Sequence, residues 1–304
     1  MTRGEFLKTA GSAAVLAALG DTFGAEAKVP AAPDYARLQR EVDEIDPEAF
    51  KAYLRGGCDR LGTVPRGALG RLDDAFDKVL AEVKSAVVTD RPAVWLVYNM
   101  GVVVKTAAAC FSIDLMHRKA PEMAPLLDFA LITHNHSDHY TEAFYKAMNG
   151  AGKTVISNFK DNYGVNDWNA NGGYTRAEKA FEIKDVRILT SPVDHNGYLV
   201  DFVTAFEIRI GEYTIFHSGD CSDVAKLNPK RRPDLWIEHP YCGMKTADGV
   251  RKLKPLLTAV GHLNELTHAR DRWRWTWADG LRAKEEAERL GCRAVVPLWG
   301  ERIV

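Results

Sequence analysis

Four potential metal ligands fall within six residues of the run Thr133-His134-Asn135-His136-Ser137-Asp138-His139-Tyr140. On an extended or turning backbone His134 and His136 project to one side. Two neutral imidazoles can then take one divalent ion at about 2.0–2.1 Å. Asp138 and His139, farther round the turn, can face a second ion. A lone histidine more often bonds backbone or water, but ligands at this density point to a metal site. The apolar Phe129-Ala130-Leu131-Ile132 just before them reads as a strand that delivers them to a sheet edge.

The remaining ligands must come from other strand ends, and candidates follow in order. Val186 to Thr190 reads as a strand running into the turn Ser191-Pro192-Val193-Asp194-His195-Asn196-Gly197, which places His195 in that turn. Phe202 to Ile210 alternates, Gly211-Glu212 offers a hairpin turn, and Tyr213 to Phe216 returns to His217-Ser218-Gly219-Asp220. Last, Leu256 to Val260 leads into Gly261-His262. The nearby His268 and Glu265 complicate this final group; His262 ends the apolar run as the other candidates do and is preferred as the ligand. His268 either faces the substrate or lies on a surface helix. His217 and His239 read as structural, with His239 the better placed of the two to line a pocket.

This ordered set resembles the metallo-β-lactamase superfamily, through His-x-His-x-Asp-His at 134–139, His195, Asp220 after Ser-Gly, and His262. The resemblance implies an αββα sandwich of the α/β class. It also implies that His134, His136 and His195 hold one metal, that Asp138, His139 and His262 hold another, and that Asp220 bridges them. Phe111-Ser112-Ile113-Asp114 resembles the family's strand ending in an aspartate that supports the metal-binding loop. Asp220 with Ser218-Gly219 looks like the broad hydrolase branch that includes lactonases and phospholipase D enzymes, rather than the zinc β-lactamases.

In such a centre two ions, zinc or alternatively Mn2+ or Fe2+, lower the pKa of water toward neutrality and polarise a scissile carbonyl or phosphoryl oxygen. The expected activity is hydrolysis of an ester, lactone or phosphodiester, with Asp138 and Asp220 orienting the attacking water and His268 at the substrate. The alternatives are a thioester hydrolase or a mononuclear iron dioxygenase on the same scaffold, and a metal-binding protein without activity. Ligating histidines usually donate their second N–H to a carboxylate or carbonyl. Asp114 and Asp194 are candidates for that role, with a turn cap the competing reading of Asp194.

Arg272-Trp273-Arg274-Trp275-Thr276-Trp277 alternates with period two, as an amphipathic strand or extended segment covering the core would. Its arginines could instead meet an anionic substrate group, phosphate or carboxylate. Asn158 to Gly173, with Tyr163 and Trp168, is a candidate lid.

A chain of 304 residues can bury a large core, and a net charge of −1 argues against a nucleic-acid surface; the expected partner is a small-molecule substrate. The five cysteines, Cys58, Cys110, Cys221, Cys242 and Cys292, are scattered and form neither a zinc ribbon nor a disulfide framework. Residues 1–27 read as a signal segment: Arg3 and Lys8 precede a small-residue apolar stretch, and Ala25-Glu26-Ala27 is an Ala-x-Ala cleavage site. Gly4 stands where a twin-arginine signal needs its second arginine. Export to the periplasm is expected by that route or the general secretory one, and a cytoplasmic location follows if the segment is not cleaved. No later run is long enough to span a bilayer. Residues 28–92 form a helical extension, with helices expected over Asp34–Leu54 and Arg66–Val87, and residues 93–304 form the catalytic domain.

Overall fold

The computed structural model describes residues 33–56, 67–159, 178–197, 199–269 and 273–304. The proposed signal segment therefore lies outside the described residues, as do most of the Asn158–Gly173 stretch and Arg272.

The first sheet is ordered β1-β2-β3-β4-β5, from Ala93–Tyr98, Gly101–Lys105, Cys110–Ile113, Phe129–Leu131 and Thr154–Ile156. β1 is buried along its whole length because both of its faces are covered. Val94 and Leu96 point inward to the second sheet, whereas Trp95 and Val97 point outward to helices. The second sheet is ordered β12-β11-β10-β9-β8-β7-β6, from Ala180–Ile183 (β6), Val186–His195 (β7), Leu199–Ile210 (β8), Tyr213–His217 (β9), Leu235–Glu238 (β10), Leu257–Val260 (β11) and Arg293–Val295 (β12). Val102, Val104, Phe111 and Phe129 meet Ile188, Phe206, Ile208, Ile215 and Ile237 between the sheets. On the outer face of the second sheet, Phe216 and Trp236 pack with Val250, Leu253 and Ala287, which belong to α5 (Thr246–Leu253) and α6 (Trp277–Arg289). The layers are those of an αββα sandwich, the metallo-β-lactamase fold.

Strand direction decides where the site lies. β7 and β8 are antiparallel, as are β8 and β9, while β9, β10 and β11 are parallel. β7, β9 and β11 therefore run the same way and finish at one edge, which brings His195, Asp220 and His262 to a common rim. β3 and β4 are likewise parallel and deliver Asp114 and His134 together.

The sequence reading placed His195 in a turn after a strand ending at Thr190, but β7 continues through Pro192 to His195 with an irregularity after Val193. Pro192 is tolerated because β6 pairs only as far as Leu189, so the missing N–H faces no partner strand. The helix expected over Asp34–Leu54 is two helices, α1 (Tyr35–Asp43) and α2 (Pro47–Leu54). Pro47 disfavours helical backbone at the residue before it, and Asp46 caps α2 by accepting from the Glu48 and Ala49 amides. The third helix, α3, spans Gly67–Ser85, and α4 spans Glu142–Gly150. Phe50 and Tyr53 of α2 and Leu72, Phe76 and Val79 of α3 share one buried cluster with Trp95 and Val97. Buried polar contacts fasten the same surface: Tyr53 Oη donates to Asp73, and Arg118 reaches both oxygens of that carboxylate. Residues 35–304 make one compact unit. No helix among the described residues is long and apolar enough to cross a membrane.

Among the described residues 273–277 no strand forms. Residues 274–276 are irregular and Trp277 opens α6, held by a reciprocal cap between Thr276 and Asp279. Trp277 is buried, whereas Trp273 is 65% exposed, so the tryptophans do not share one face.

Candidate metal centre

Two ligand groups meet at the rim. His134, His136 and His195 form one; Asp138, His139, Asp220 and His262 form the other; within each, one potential ligand atom per residue lies within 4.8 Å of the rest. Asp220 stands between them. Its Oδ2 is 3.9 Å from His134 Nε2, 3.6 Å from His195 Nε2 and 3.5 Å from His262 Nε2, and its Oδ1 is 3.3 Å from His139 Nε2. Ligands about 2.0–2.1 Å from a tetrahedral ion are separated by about 3.4 Å, so these spacings fit atoms that could share ions. His134 Nε2, His139 Nε2 and Asp220 Oδ1 are buried without a hydrogen-bond partner. Such atoms are costly unless a ligand satisfies them.

The supporting bonds set the direction of the lone pairs. Asp114 Oδ1 accepts the Thr133 amide at 2.8 Å, and Oδ2 accepts the Thr133 hydroxyl at 2.7 Å and His139 Nδ1–H at 2.8 Å. With its own proton given to Asp114, the Thr133 hydroxyl accepts His134 Nδ1–H at 3.0 Å. Both rings are thus protonated on the outer nitrogen, and each Nε2 faces its group. Asn99 helps place the second group: its Nδ2 donates to the Asp138 carbonyl at 2.9 Å, and its own carbonyl accepts the His262 amide at 3.1 Å. His262 adopts φ 50°, a conformation that side chains other than glycine rarely take and that the surrounding bonds must hold. Gly219 (φ +52°) turns the chain into Asp220, and a Cβ there would lie 2.7 Å from Val203.

Charge divides the site. Burial holds the pKa values of His134, His136 and His195 below the ordinary imidazole value, so these three are neutral ligands at neutral pH. Burial acts the same way on His139 and His262, but nearby carboxylates outweigh it. Asp220, Asp138 and Asp114 hold His139 well above the ordinary value, and Asp220 and Asp138 push His262 up to about 10. Those imidazolium charges in turn hold Asp138 and Asp220 below the usual carboxylate range despite burial. The second group therefore carries two carboxylates that require positive charge, which protons or a cation can supply.

The other sequence candidates are placed as follows. Asp194 Oδ1 accepts the Asp201 amide at 2.8 Å and lies 3.6 Å from Lys226 Nζ, so it caps the β7–β8 turn. His217 is buried and bonds the Met100 carbonyl. His239 stacks on His262 with ring centroids 3.8 Å apart. His268 is not grouped with His139, Asp220 and His262; a ring nitrogen of it lies within 4.8 Å of carboxylate oxygens of Asp138 and Glu265. The reading of Arg274 as a substrate contact is overturned: it is 6% exposed, and its guanidinium donates to the carbonyls of Val42, Ile45, Leu266 and His268. The sequence reading missed Asn99, Tyr98 and Phe202. The Phe202 ring lies 5.0 Å from His136 and 5.7 Å from His134, and its only sequence signal was its place in an alternating strand.

No family model matches the chain. A curated UPF0173 metal-dependent hydrolase from Thermoplasma acidophilum is 27% identical over 192 residues, covering 59% of this chain and 80% of its own length. Among solved structures, Igni18, a metallo hydrolase from Ignicoccus hospitalis, superposes with a TM-score of 0.53 at 18% identity, covering 69% of this chain and 97% of that one. CmlA, a diiron β-hydroxylase from Streptomyces venezuelae, gives a TM-score of 0.52 at 13% identity, covering 71% and 54%. The two solved structures share the fold of this chain, and the curated relative is named a metal-dependent hydrolase.

Proposed function

We propose that this metal-dependent hydrolase of the metallo-β-lactamase superfamily works through two metal ions, most simply zinc with Mn2+ or Fe2+ as alternatives, and hydrolyses an ester, lactone or phosphodiester of a small molecule. His134, His136 and His195 would hold one ion, Asp138, His139 and His262 the other, and Asp220 both. The observation that carries this reading is the position of the Asp220 carboxylate, between 3.3 and 3.9 Å from a nitrogen of His134, His139, His195 and His262. Bound there, two ions supply an acidified water and a Lewis acid for the scissile group. The protein supplies the rest. Asp138 and Asp220 orient the water, Asp114 and Thr133 fix the imidazoles, and Phe202 walls the mouth beside His136. A mononuclear iron site in the three-histidine group would leave the buried Asp138 and Asp220 unexplained, and one in the second group would leave His134, His136 and His195 converging for no ligand. Export is part of the proposal, and N-terminal sequencing of the mature protein tests it.

The test is metal analysis of the purified protein, followed by turnover of ester, lactone, phosphodiester, thioester and β-lactam substrates. Two equivalents per chain are expected. Asp220→Ala should keep the fold and lose about 10²-fold or more in kcat, because a reacting group misplaced by an ångström costs that much. One equivalent under metal-replete conditions, unchanged in the variant, would sink the two-ion reading.

A further inference from the structure

We propose that His268, aimed by Glu265, donates the proton to the leaving group of this hydrolysis, and that the substrate is therefore one that expels a basic alkoxide oxygen rather than a thiolate. The inference rests on the hydrolase reading above and extends it to substrate class.

Glu265 is fully buried, and its two oxygens accept from five donors. Tyr98 Oη (3.2 Å) and the Thr267 amide (2.8 Å) reach Oε1; the Thr267 hydroxyl (2.7 Å), the His268 amide (3.0 Å) and His268 Nδ1 (2.5 Å) reach Oε2. Burying a carboxylate is expensive, and this one is saturated by groups that fix the orientation of a single imidazole. The backbone of His268 is held independently, since Arg274 donates to its carbonyl through Nε (3.0 Å) and Nη2 (2.6 Å). Ring and backbone are both over-determined, although the side chain remains 32% exposed. Packing alone does not require a surface-accessible ring to be held so firmly.

The ring borders the proposed metal centre. A nitrogen of His268 lies within 4.8 Å of an oxygen of Asp138, one of the proposed metal ligands. Glu265 takes Nδ1–H, so Nε2 is the nitrogen left to meet a ligand, and it has no hydrogen-bond partner among the described residues. The charged groups facing the ring are Glu265 and Asp138, which favour its protonated form, and His262, which opposes it; Trp273 meets its edge at 5.8 Å. The Glu265 hydrogen bond outweighs burial and holds the imidazole above its ordinary value.

The step balances. The water oxygen bonds to the acyl carbon or phosphorus, and the bond from that atom to the leaving oxygen breaks with its electron pair staying on oxygen. That oxygen takes the proton from His268 Nε2 while Glu265 keeps Nδ1–H. The proton lost by the water passes to solvent, and the exposed side of His268 recovers one there. An alkoxide, whose conjugate acid has a pKa near the roughly 15.7 of water, needs this proton. A thiolate, with a pKa of about 8.5, does not.

The test uses the zinc-loaded full-length protein with p-nitrophenyl, phenyl and ethyl acetate and the matching aryl and alkyl phenylphosphonates. General acid catalysis contributes about 10²–10⁴-fold. His268→Ala should therefore lose at least about 10²-fold on the ethyl leaving group and less than about tenfold on p-nitrophenolate, while retaining both metal equivalents. Glu265→Gln should move the alkaline limb of the kcat/KM profile on ethyl substrates to lower pH. Equal losses across the series, or loss of a metal equivalent from His268→Ala, would overturn the proposal. NMR titration of His268 needs no turnover. A pKa above the ordinary value that falls in Glu265→Gln supports the dyad, and an unshifted pKa in both proteins refutes it. If neither series is hydrolysed by the wild type, the alkoxide-ester substrate class is overturned, and the titration still decides the dyad.

Discussion

Asp114 Oδ2 accepts His139 Nδ1–H at 2.8 Å with both side chains fully buried, and the same carboxylate takes the Thr133 amide and hydroxyl. One side chain thus orients two imidazoles, directly for His139 and through Thr133 for His134. Asp114→Asn can offer a single carbonyl oxygen to these three donors and must turn an NH2 toward one of them. The expected result is a loss of about 10–100-fold in metal affinity or turnover with the fold retained. Chelator competition on the folded variant measures it, and unchanged affinity would remove Asp114 from the centre.

The two ligand groups share Asp220 but differ in their other members, so they should be separable. His262→Ala should release one metal equivalent at chelator concentrations that leave two on the wild type. His195→Ala should do the same for the other ion. Simultaneous loss of both ions from either variant, at the concentration that strips one, would show a single cooperative site instead.

Arg274 serves four backbone carbonyls that join α1 and its following turn to the loop carrying Glu265 and His268. A lysine has one compact ammonium and cannot span this set. Charged hydrogen bonds contribute about 1.5–3 kcal/mol each, so Arg274→Lys should lower stability by about 3 kcal/mol, read by urea denaturation. Wild-type stability in the variant would mean the guanidinium contacts contribute nothing net.

Glu238, at the end of β10, is buried beneath α5, and burial pushes its carboxyl up to about 8. Thr246 donates to one oxygen at 3.0 Å, but Oε2 has no partner. An unfolded glutamate titrates near 4.3. Between those values the folded protein holds a proton that the unfolded chain has released, so stability falls as pH rises through this window. The contribution is fully present below about pH 4.3 and lost as pH passes about 8. Glu238→Gln removes the titration, keeps an acceptor for Thr246 and should be more stable than wild type at pH 9. Denaturation curves at pH 5, 7 and 9 check this, and parallel declines in the two proteins would refute it.

Local chemistry carried much of this protein in its sequence. The run from His134 to His139 announces ligands because few other uses put three imidazoles and a carboxylate in one turn, and apolar runs ending in His195, Asp220 and His262 read as strands with polar tips. The helix expected over Arg66–Val87 was legible from periodicity and is α3, since one buried face leaves its mark every three or four residues. Pro47 splits the helix expected over Asp34–Leu54, because it disfavours helical backbone at Asp46.

Relationships set by distance in space were not legible. That β7, β9 and β11 run the same way is a property of sheet order, and it alone brings His195, Asp220 and His262 to one rim. Arg274 looked like an anion contact because an alternating sequence does not show which carbonyls will fold beneath it. Nothing near Glu265 in the sequence shows that Tyr98, 167 residues earlier in the chain, donates to it. Side-chain type and spacing determine which chemistry is available. Strand direction and the satisfaction of buried polar groups decide which residues share it, because those depend on partners the local sequence does not contain.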